Sequence, residues 1–143
     1  MPVPPLIDES STPYWEGAKR HELVLVGCDD CGHLIHYPFA RCPACHSAAV
    51  SPTVVPGTGT VVSHTTTQRA PAPEYADDLP IRLVLVELDV QVGLRVAATI
   101  ADGEGDPSIG DRVELTYVDH PAGGDHEAYS LGQFRHLPTM SAR

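Results

Sequence analysis

The chain has 143 residues and a mass of 15.3 kDa, which suits one modest domain with a small appended module. Nineteen acidic residues against nine basic ones give a formal net charge of −10, and only Lys19 and Arg20 are adjacent cations. Nucleic acids are bound through clustered cations, so this pattern disfavours a nucleic-acid partner. The sequence has no apolar run of about 18 residues, so we expect no membrane span. Its N-terminus lacks a signal-peptide pattern, so we expect a cytoplasmic protein.

The four cysteines form two Cys-x-x-Cys pairs separated by ten residues. Each pair is typical of a tight turn that directs two sulfurs to one side, and two such turns can build a tetrahedral site. The spacing therefore predicts a structural zinc ion held by Cys28, Cys31, Cys42 and Cys45. Because protein ligands would fill all four positions, no position remains for a substrate.

Other interpretations of the cysteines remain open. Rubredoxin-like iron fits the same spacing, whereas two disulfides would need an oxidising compartment and a redox pair would explain only one motif.

The residues beside the cysteines also bear on the metal centre. Gly32 follows the first pair, where positive φ is often required, and His46 takes the equivalent place after the second. We expect His33, His36 and His46 to be neighbours of the metal centre and not ligands, since four thiolates already satisfy zinc.

The region before the cysteines predicts a Pro-rich lead and a short helix within residues 1–21. Thr12 is the expected N-cap, and Pro13 would occupy the first helical position. The pair Tyr14 and Trp15 is too large for so short a helix to bury, so it either packs on its own domain or docks on a partner chain. A short strand from Leu23 to Val26 then leads into a zinc ribbon, which we assign to residues 22–50.

Residues 51–143 predict a barrel, because short strands alternate with turns and no helical period separates them. The expected fold is therefore mainly β: a short N-terminal helix, a rubredoxin-like zinc ribbon and a five-stranded OB-fold barrel, with an SH3-like barrel as the alternative. The five predicted strands are Thr60–Thr67, Ile81–Leu88, Leu94–Ile100, Arg112–Val118 and Ala128–Arg135.

The sequence predicts no catalytic residue. It contains no Gly-x-Ser-x-Gly elbow, phosphate-binding Gly-Lys motif or dinucleotide fingerprint. We expect His64 to be a partly buried, hydrogen-bonded strand residue and not a base. Asp77 and Asp78 are expected in a solvated loop and not in a cation site.

The order of motifs resembles the OB-fold family of acyl-CoA-associated proteins with a rubredoxin-like zinc ribbon, known as domain-of-unknown-function family thirty-five. The resemblance covers Pro13 to Arg135. It departs from the family pattern at Asp89-Val90-Gln91-Val92-Gly93-Leu94, where the family usually has an acidic residue and an earlier glycine. The motifs that carry it are Tyr14-Trp15, the two cysteine pairs, Gly57-Thr58-Gly59-Thr60-Val61, Val84-Leu85-Val86-Glu87-Leu88-Asp89 and Ile109-Gly110-Asp111-Arg112-Val113.

This resemblance implies a non-catalytic accessory subunit of a thiolase, side-chain aldolase or acyltransferase. The implied partner is a thiolase-like protein or a hydratase of the hot-dog fold, and the implied ligand is CoA or an acyl-CoA thioester bound in the complex. Arg41 is a candidate for the CoA phosphates because guanidinium pairs bidentately with phosphate, and Tyr37 and Phe39 could form an apolar wall. All three could instead simply pack over the ribbon. A nucleic-acid-binding ribbon and OB module is the alternative function.

Overall fold

The computed structural model describes residues 3–138, and its first element is helix α1 (Thr12–Lys19). Ser11 is the N-cap, so the prediction of Thr12 was wrong by one residue. The reason is a turn at Asp8, whose backbone carbonyl accepts the Thr12 N–H at 3.0 Å and draws Thr12 into the helix. The Asp8 carboxylate accepts the Ser11 N–H at 2.8 Å. Because the N-cap is one residue earlier, Pro13 is the second helical residue and not the first, which the sequence had predicted.

The ribbon contains an antiparallel sheet with the strand order β2-β1-β3. Its strands are β1 (Leu23–Cys28), β2 (Leu34–Ile35) and β3 (Val50–Val55). The predicted first strand is confirmed and extends to Cys28. β3 pairs with β1 along its whole length and so belongs to the ribbon sheet. All of β3 except its first residue nevertheless lies in the segment 51–143 that the sequence assigned to the barrel. The division into residues 1–21, 22–50 and 51–143 stays a prediction.

The remaining strands form a closed five-stranded barrel in the order β4-β5-β6-β8-β7. β4 closes the barrel on β7, and β6 and β8 are its parallel pair. A 3-10 helix (Pro73–Asp78) connects the first two barrel strands. The predicted OB-fold barrel is confirmed. Its strands are β4 (Thr58–Thr67), β5 (Ile81–Leu88), β6 (Arg95–Ile100), β7 (Arg112–His120) and β8 (Tyr129–His136).

One hydrophobic core joins the barrel to the ribbon. Alternate side chains of the barrel strands point inward, and Leu23 and Leu25 of β1 together with Val55 of β3 belong to the same buried cluster. Burial of these ribbon side chains against the barrel favours a fixed arrangement of the two parts. Within residues 3–138, no helix is both long enough and apolar enough to cross a bilayer.

Two of the motifs that carry the family resemblance meet where the barrel closes. The Val61 N–H donates to the carbonyl of Asp111 at 2.9 Å, and the Val61 carbonyl accepts the Gly110 N–H at 2.8 Å. A side chain at Gly59 is impossible without movement, because its Cβ would lie 2.3 Å from the carbonyl oxygen of Glu87. The motif Gly57-Thr58-Gly59-Thr60-Val61 therefore lies where β4 pairs with its neighbours to close the barrel, and the structure gives it no phosphate-binding geometry.

Candidate functional site

The two cysteine turns have the same backbone conformation. The carbonyl of Cys28 accepts the Gly32 N–H at 2.9 Å, and the carbonyl of Cys42 accepts the His46 N–H at 2.8 Å. The closing residues of the turns have φ values of 77° at Gly32 and 65° at His46. His46 thus adopts the left-handed conformation in which the sequence pattern favours glycine.

The four Sγ atoms lie within 4.8 Å of one another. Cys28 and Cys45 are separated by 3.5 Å between sulfurs, and Cys31 and Cys42 by 3.6 Å. A tetrahedron with zinc–sulfur bonds of about 2.3 Å has edges of about 3.8 Å. A disulfide would bring two sulfurs to about 2.05 Å. The four cysteines therefore fit a four-thiolate metal, and the disulfide alternative does not match these distances.

The surroundings of the sulfurs also suit a bound cation. The backbone N–H of Cys31 lowers the pKa of Cys28 to about 7. The backbone N–H of Ser47 lowers the pKa of Cys45, but the neighbouring sulfurs and burial outweigh it and raise that pKa to about 12. Four thiolates this close repel one another, so a divalent cation is the natural counter-charge.

The three histidines near the cysteines have other contacts. The backbone carbonyl of His33 accepts the Cys28 N–H at 2.9 Å, and that of His46 accepts Nη1 of Arg41 at 3.1 Å. The His36 ring lies between two tyrosines, with centroid distances of 6.2 Å to Tyr14 and 4.2 Å to Tyr37. The cluster of potential ligands found among residues 3–138 contains cysteines alone.

The predicted CoA-contacting residues lie on one exposed loop of the ribbon. Tyr37 is 67% exposed and Phe39 is 62% exposed, so neither is covered by the ribbon. Arg41 is also exposed, and within the described part of the chain its guanidinium bonds only to the carbonyl of His46. The loop therefore presents two aromatic rings and one cation to the solvent or to a partner.

Ion pairing distinguishes Arg41 from most other cations of the chain. Among residues 3–138, only Arg41 and Arg69 have a guanidinium without a carboxylate partner in the structure. The sequence could not show this, because several of the paired carboxylates lie at distant positions, such as Asp106, which pairs with Arg82. The paired cations are Lys19, Arg20, Arg82, Arg95, Arg112 and Arg135.

A cavity of about 290 Å³ lies where α1, the ribbon and β6 meet. No pattern in the sequence predicts this cavity, and its one signal is the aromatic pair at the start of α1. Tyr14 packs against the barrel core, which is the first of the two alternatives for that pair, while Trp15 lines the cavity. The lining residues are Ser10, Ser11, Pro13, Tyr14, Trp15, Val24, Leu25, Val26, His36, Tyr37, Pro38, Val96 and Ala97.

Two other sequence expectations need correction. His64 is exposed and not partly buried, since β4 shifts register between Val61 and Ser63 and its later residues extend beyond the pairing with β7. The pair Asp77 and Asp78 is exposed, as predicted for a solvated loop, but it lies in the 3-10 helix and not in a loop.

A serine, an aspartate and a histidine do meet on the barrel, but in an order unsuited to nucleophilic catalysis. Asp119 accepts the Ser130 hydroxyl at 2.5 Å and contacts Nε2 of His21 at 2.8 Å. A catalytic base must contact the nucleophile itself, whereas here the carboxylate lies between the two. The array instead connects the turn after α1 to β7 and β8.

Comparisons with known proteins agree with this architecture. The model of the ChsH2 rubredoxin-like zinc ribbon domain matches residues 15–51, and that of the ChsH2 C-terminal OB-fold domain matches residues 53–118. A chain of the solved structure described as "Ltp2-ChsH2(DUF35) aldolase" is 28% identical, with a TM-score of 0.75. The match covers 93% of this chain and 98% of that one. A comparison with curated proteins gave no significant match. The chain therefore belongs to the ChsH2 family, in which a rubredoxin-like zinc ribbon precedes an OB-fold domain.

Proposed function

We propose that this chain is a non-catalytic accessory subunit of an acyl-CoA enzyme complex. The observation that carries the proposal is the match to nearly the whole length of a chain in an aldolase complex, at 28% identity. The proposed partner is a thiolase-like protein, and a hydratase of the hot-dog fold is the alternative. The enzyme's reactive groups would belong to the partner, because the one Ser-Asp-His contact described above cannot activate its serine.

The metal centre would have a structural role. Cys28, Cys31, Cys42 and Cys45 would hold one zinc ion, which cross-links the two turns and stabilises a ribbon too small to bury a core of its own. A four-thiolate ion has no open coordination position, so it would not polarise a substrate. Its contribution to function would be to fix the loop that carries Tyr37, Phe39 and Arg41.

That loop is the proposed contact with CoA in the assembled complex. Arg41 offers a guanidinium that no carboxylate of residues 3–138 neutralises, which suits a phosphate group. Tyr37 and Phe39 offer exposed rings that can pack on a partner or on the pantetheine arm. The net charge of −10 would repel an anionic ligand, so an unneutralised guanidinium at the contact would favour its binding.

The experiment is to titrate the labelled chain with a candidate thiolase-like partner, with and without CoA. Trp15→Ala should weaken assembly while leaving zinc bound, whereas Arg41→Ala should mainly weaken CoA binding by the assembled complex. Arg69→Ala is the matched control, because Arg69 carries the other guanidinium without a carboxylate partner among residues 3–138. If the Trp15 and Arg41 variants both assemble and bind CoA like wild type, the proposed placement of the interface is wrong.

The isolated chain should show no turnover of acyl-CoA substrates. Sustained thioester cleavage by a homogeneous preparation, abolished by one substitution in this chain, would contradict the accessory role.

The alternative function, nucleic-acid binding, has little support from the charges, because six of the described cations are already paired with carboxylates. A strongly salt-dependent shift of a labelled oligonucleotide would favour that alternative.

A further inference from the structure

We propose that the cavity between α1, the ribbon and β6 is a binding site for an uncharged, largely apolar molecule of about ten carbon atoms that carries one hydroxyl or carbonyl group. This site adjoins the proposed CoA-contacting loop and shares Tyr37 with it, but the proposal does not depend on the acyl-CoA role.

The charge of the lining residues selects an uncharged ligand. The chain carries a net charge of −10, yet among the residues that the structure describes no Asp, Glu, Lys or Arg lines this cavity. Val24, Leu25 and Val26 of β1 and Val96 of β6 form an aliphatic part of its wall, and Trp15 contributes an aromatic face. Burial of an ionised group against such a wall has a large desolvation cost, so an acid or an amine would be rejected.

The size of the cavity limits the ligand. An apolar cavity of about 150 Å³ binds benzene, a molecule of six carbon atoms. The present cavity of about 290 Å³ is nearly twice as large. It can therefore hold a bicyclic ring system or a single ring with a short chain.

One side chain supplies the polar contact. The ring of His36 lines the cavity, and neither of its nitrogens has a hydrogen-bond partner among residues 3–138. Burial lowers the pKa of His36, so the neutral ring can donate or accept one hydrogen bond. The hydroxyls of Ser10 and Ser11 also lie at the wall, but both already bond to Asp8.

Trp15 provides a direct readout of occupancy, because it is the only tryptophan of the chain. The full-length zinc-loaded chain would be titrated with decahydro-2-naphthol, a bicyclic alcohol that is transparent at tryptophan wavelengths. We expect a saturable blue shift of the Trp15 emission as the alcohol replaces water. Decahydro-2-naphthoic acid, the charged analogue, should bind about tenfold more weakly or worse at pH 8.

Two variants locate the site. Ala97 is an exposed lining residue, so Ala97→Phe should occupy part of the cavity and abolish binding. Val92→Phe should leave affinity unchanged, because Val92 lies in the exposed turn before β6 and does not line the cavity. His36→Phe keeps the ring but removes the polar contact. It should reduce affinity for the alcohol about fivefold to tenfold without changing affinity for decalin, the parent hydrocarbon.

The proposal is overturned if the alcohol produces no saturable shift, or if the acid binds as tightly as the alcohol. Equal binding by Ala97→Phe and wild type would also overturn it. Zinc content and circular dichroism identify a misfolded variant, and in that case the His36→Phe comparison of alcohol with hydrocarbon decides the question.

Discussion

The side-chain amide of Gln91 forms two reciprocal hydrogen bonds with the backbone of Leu34. Its Oε1 accepts the Leu34 N–H at 2.8 Å, and its Nε2 donates to the Leu34 carbonyl at 2.9 Å. Gln91 lies in the turn between β5 and β6, and Leu34 begins β2. A barrel side chain thus pairs with the ribbon strand as a neighbouring strand would. This contact lies in the segment where the sequence departs from its family pattern.

The first prediction concerns this contact. Gln91→Glu should lower the free energy of unfolding by about 1–3 kcal/mol, because a carboxylate cannot donate to the Leu34 carbonyl and would place two acceptors against each other. Val92→Glu, one residue away and 93% exposed, adds the same charge and should change stability by less than about 0.5 kcal/mol. Denaturant unfolding at neutral pH measures both. Equal stabilities of the two variants would show that the contact is unimportant.

The second prediction concerns the metal. Cys42→Ser should abolish stoichiometric zinc binding, because Cys42 is buried in the cluster and structural zinc contributes about 10–16 kcal/mol in small zinc-binding peptides. His33→Ala is the control and should retain one zinc, since the cluster contains cysteines alone. Elemental analysis of purified chains provides the measurement. Full zinc in Cys42→Ser, or loss of zinc in His33→Ala, would contradict the ligand assignment. Iron in the wild-type chain would support the alternative metal.

The third prediction compares the two cysteine turns. Gly32→Ala should weaken the zinc-bound ribbon by about 1 kcal/mol, because the φ of 77° at Gly32 strains a residue with a side chain. No atom would crowd the added Cβ, so this backbone strain is the whole cost. The reciprocal change His46→Gly should stabilise it by about 0.5–1 kcal/mol by relieving the same backbone strain. Competition with a zinc chelator measures both effects. A loss of stability in His46→Gly would mean that the imidazole makes a stabilising contact that outweighs the strain.

The sequence predicted the elements that are repeated or periodic. Two identical cysteine spacings defined the metal centre, and the alternation of Val96, Ala98 and Ile100, which begins at Leu94 just before β6, identified the face of that strand that packs on the core. β-branched and aliphatic residues in short runs, bounded by glycine turns, gave strands within one or two residues of their observed limits.

Features that depend on contacts between distant residues were not predictable. The cavity arises because Trp15, Val24, His36 and Val96 come from four separate segments, and no periodicity relates them. The exposure of His64 follows from a register shift in β4, which leaves no local signature in its sequence. The unpaired state of Arg41 became visible only when the partners of the other cations were known.

The fourth prediction is a pH dependence that His36 contributes to stability. Burial lowers the pKa of His36 below its ordinary value of 6.5 in the folded chain, whereas the unfolded chain keeps the ordinary value. Below pH 6.5 the unfolded state therefore takes up a proton before the folded state does. The contribution of His36 to stability is fully present above pH 6.5 and decreases as the pH falls through the folded-state pKa.

His36→Phe removes this titration while keeping an aromatic ring against Tyr14 and Tyr37. The free energies of unfolding of wild type and variant should thus converge, or cross in favour of the variant, as the pH falls from 7.5 to about 5. Because the seven other histidines and the four cysteines are common to both chains, the difference between the two pH profiles isolates His36. Denaturant unfolding at several pH values, with zinc content verified at each, gives the profiles. Parallel profiles across this range would show that the His36 pKa is the same in the folded and unfolded chains, contrary to the burial of its ring.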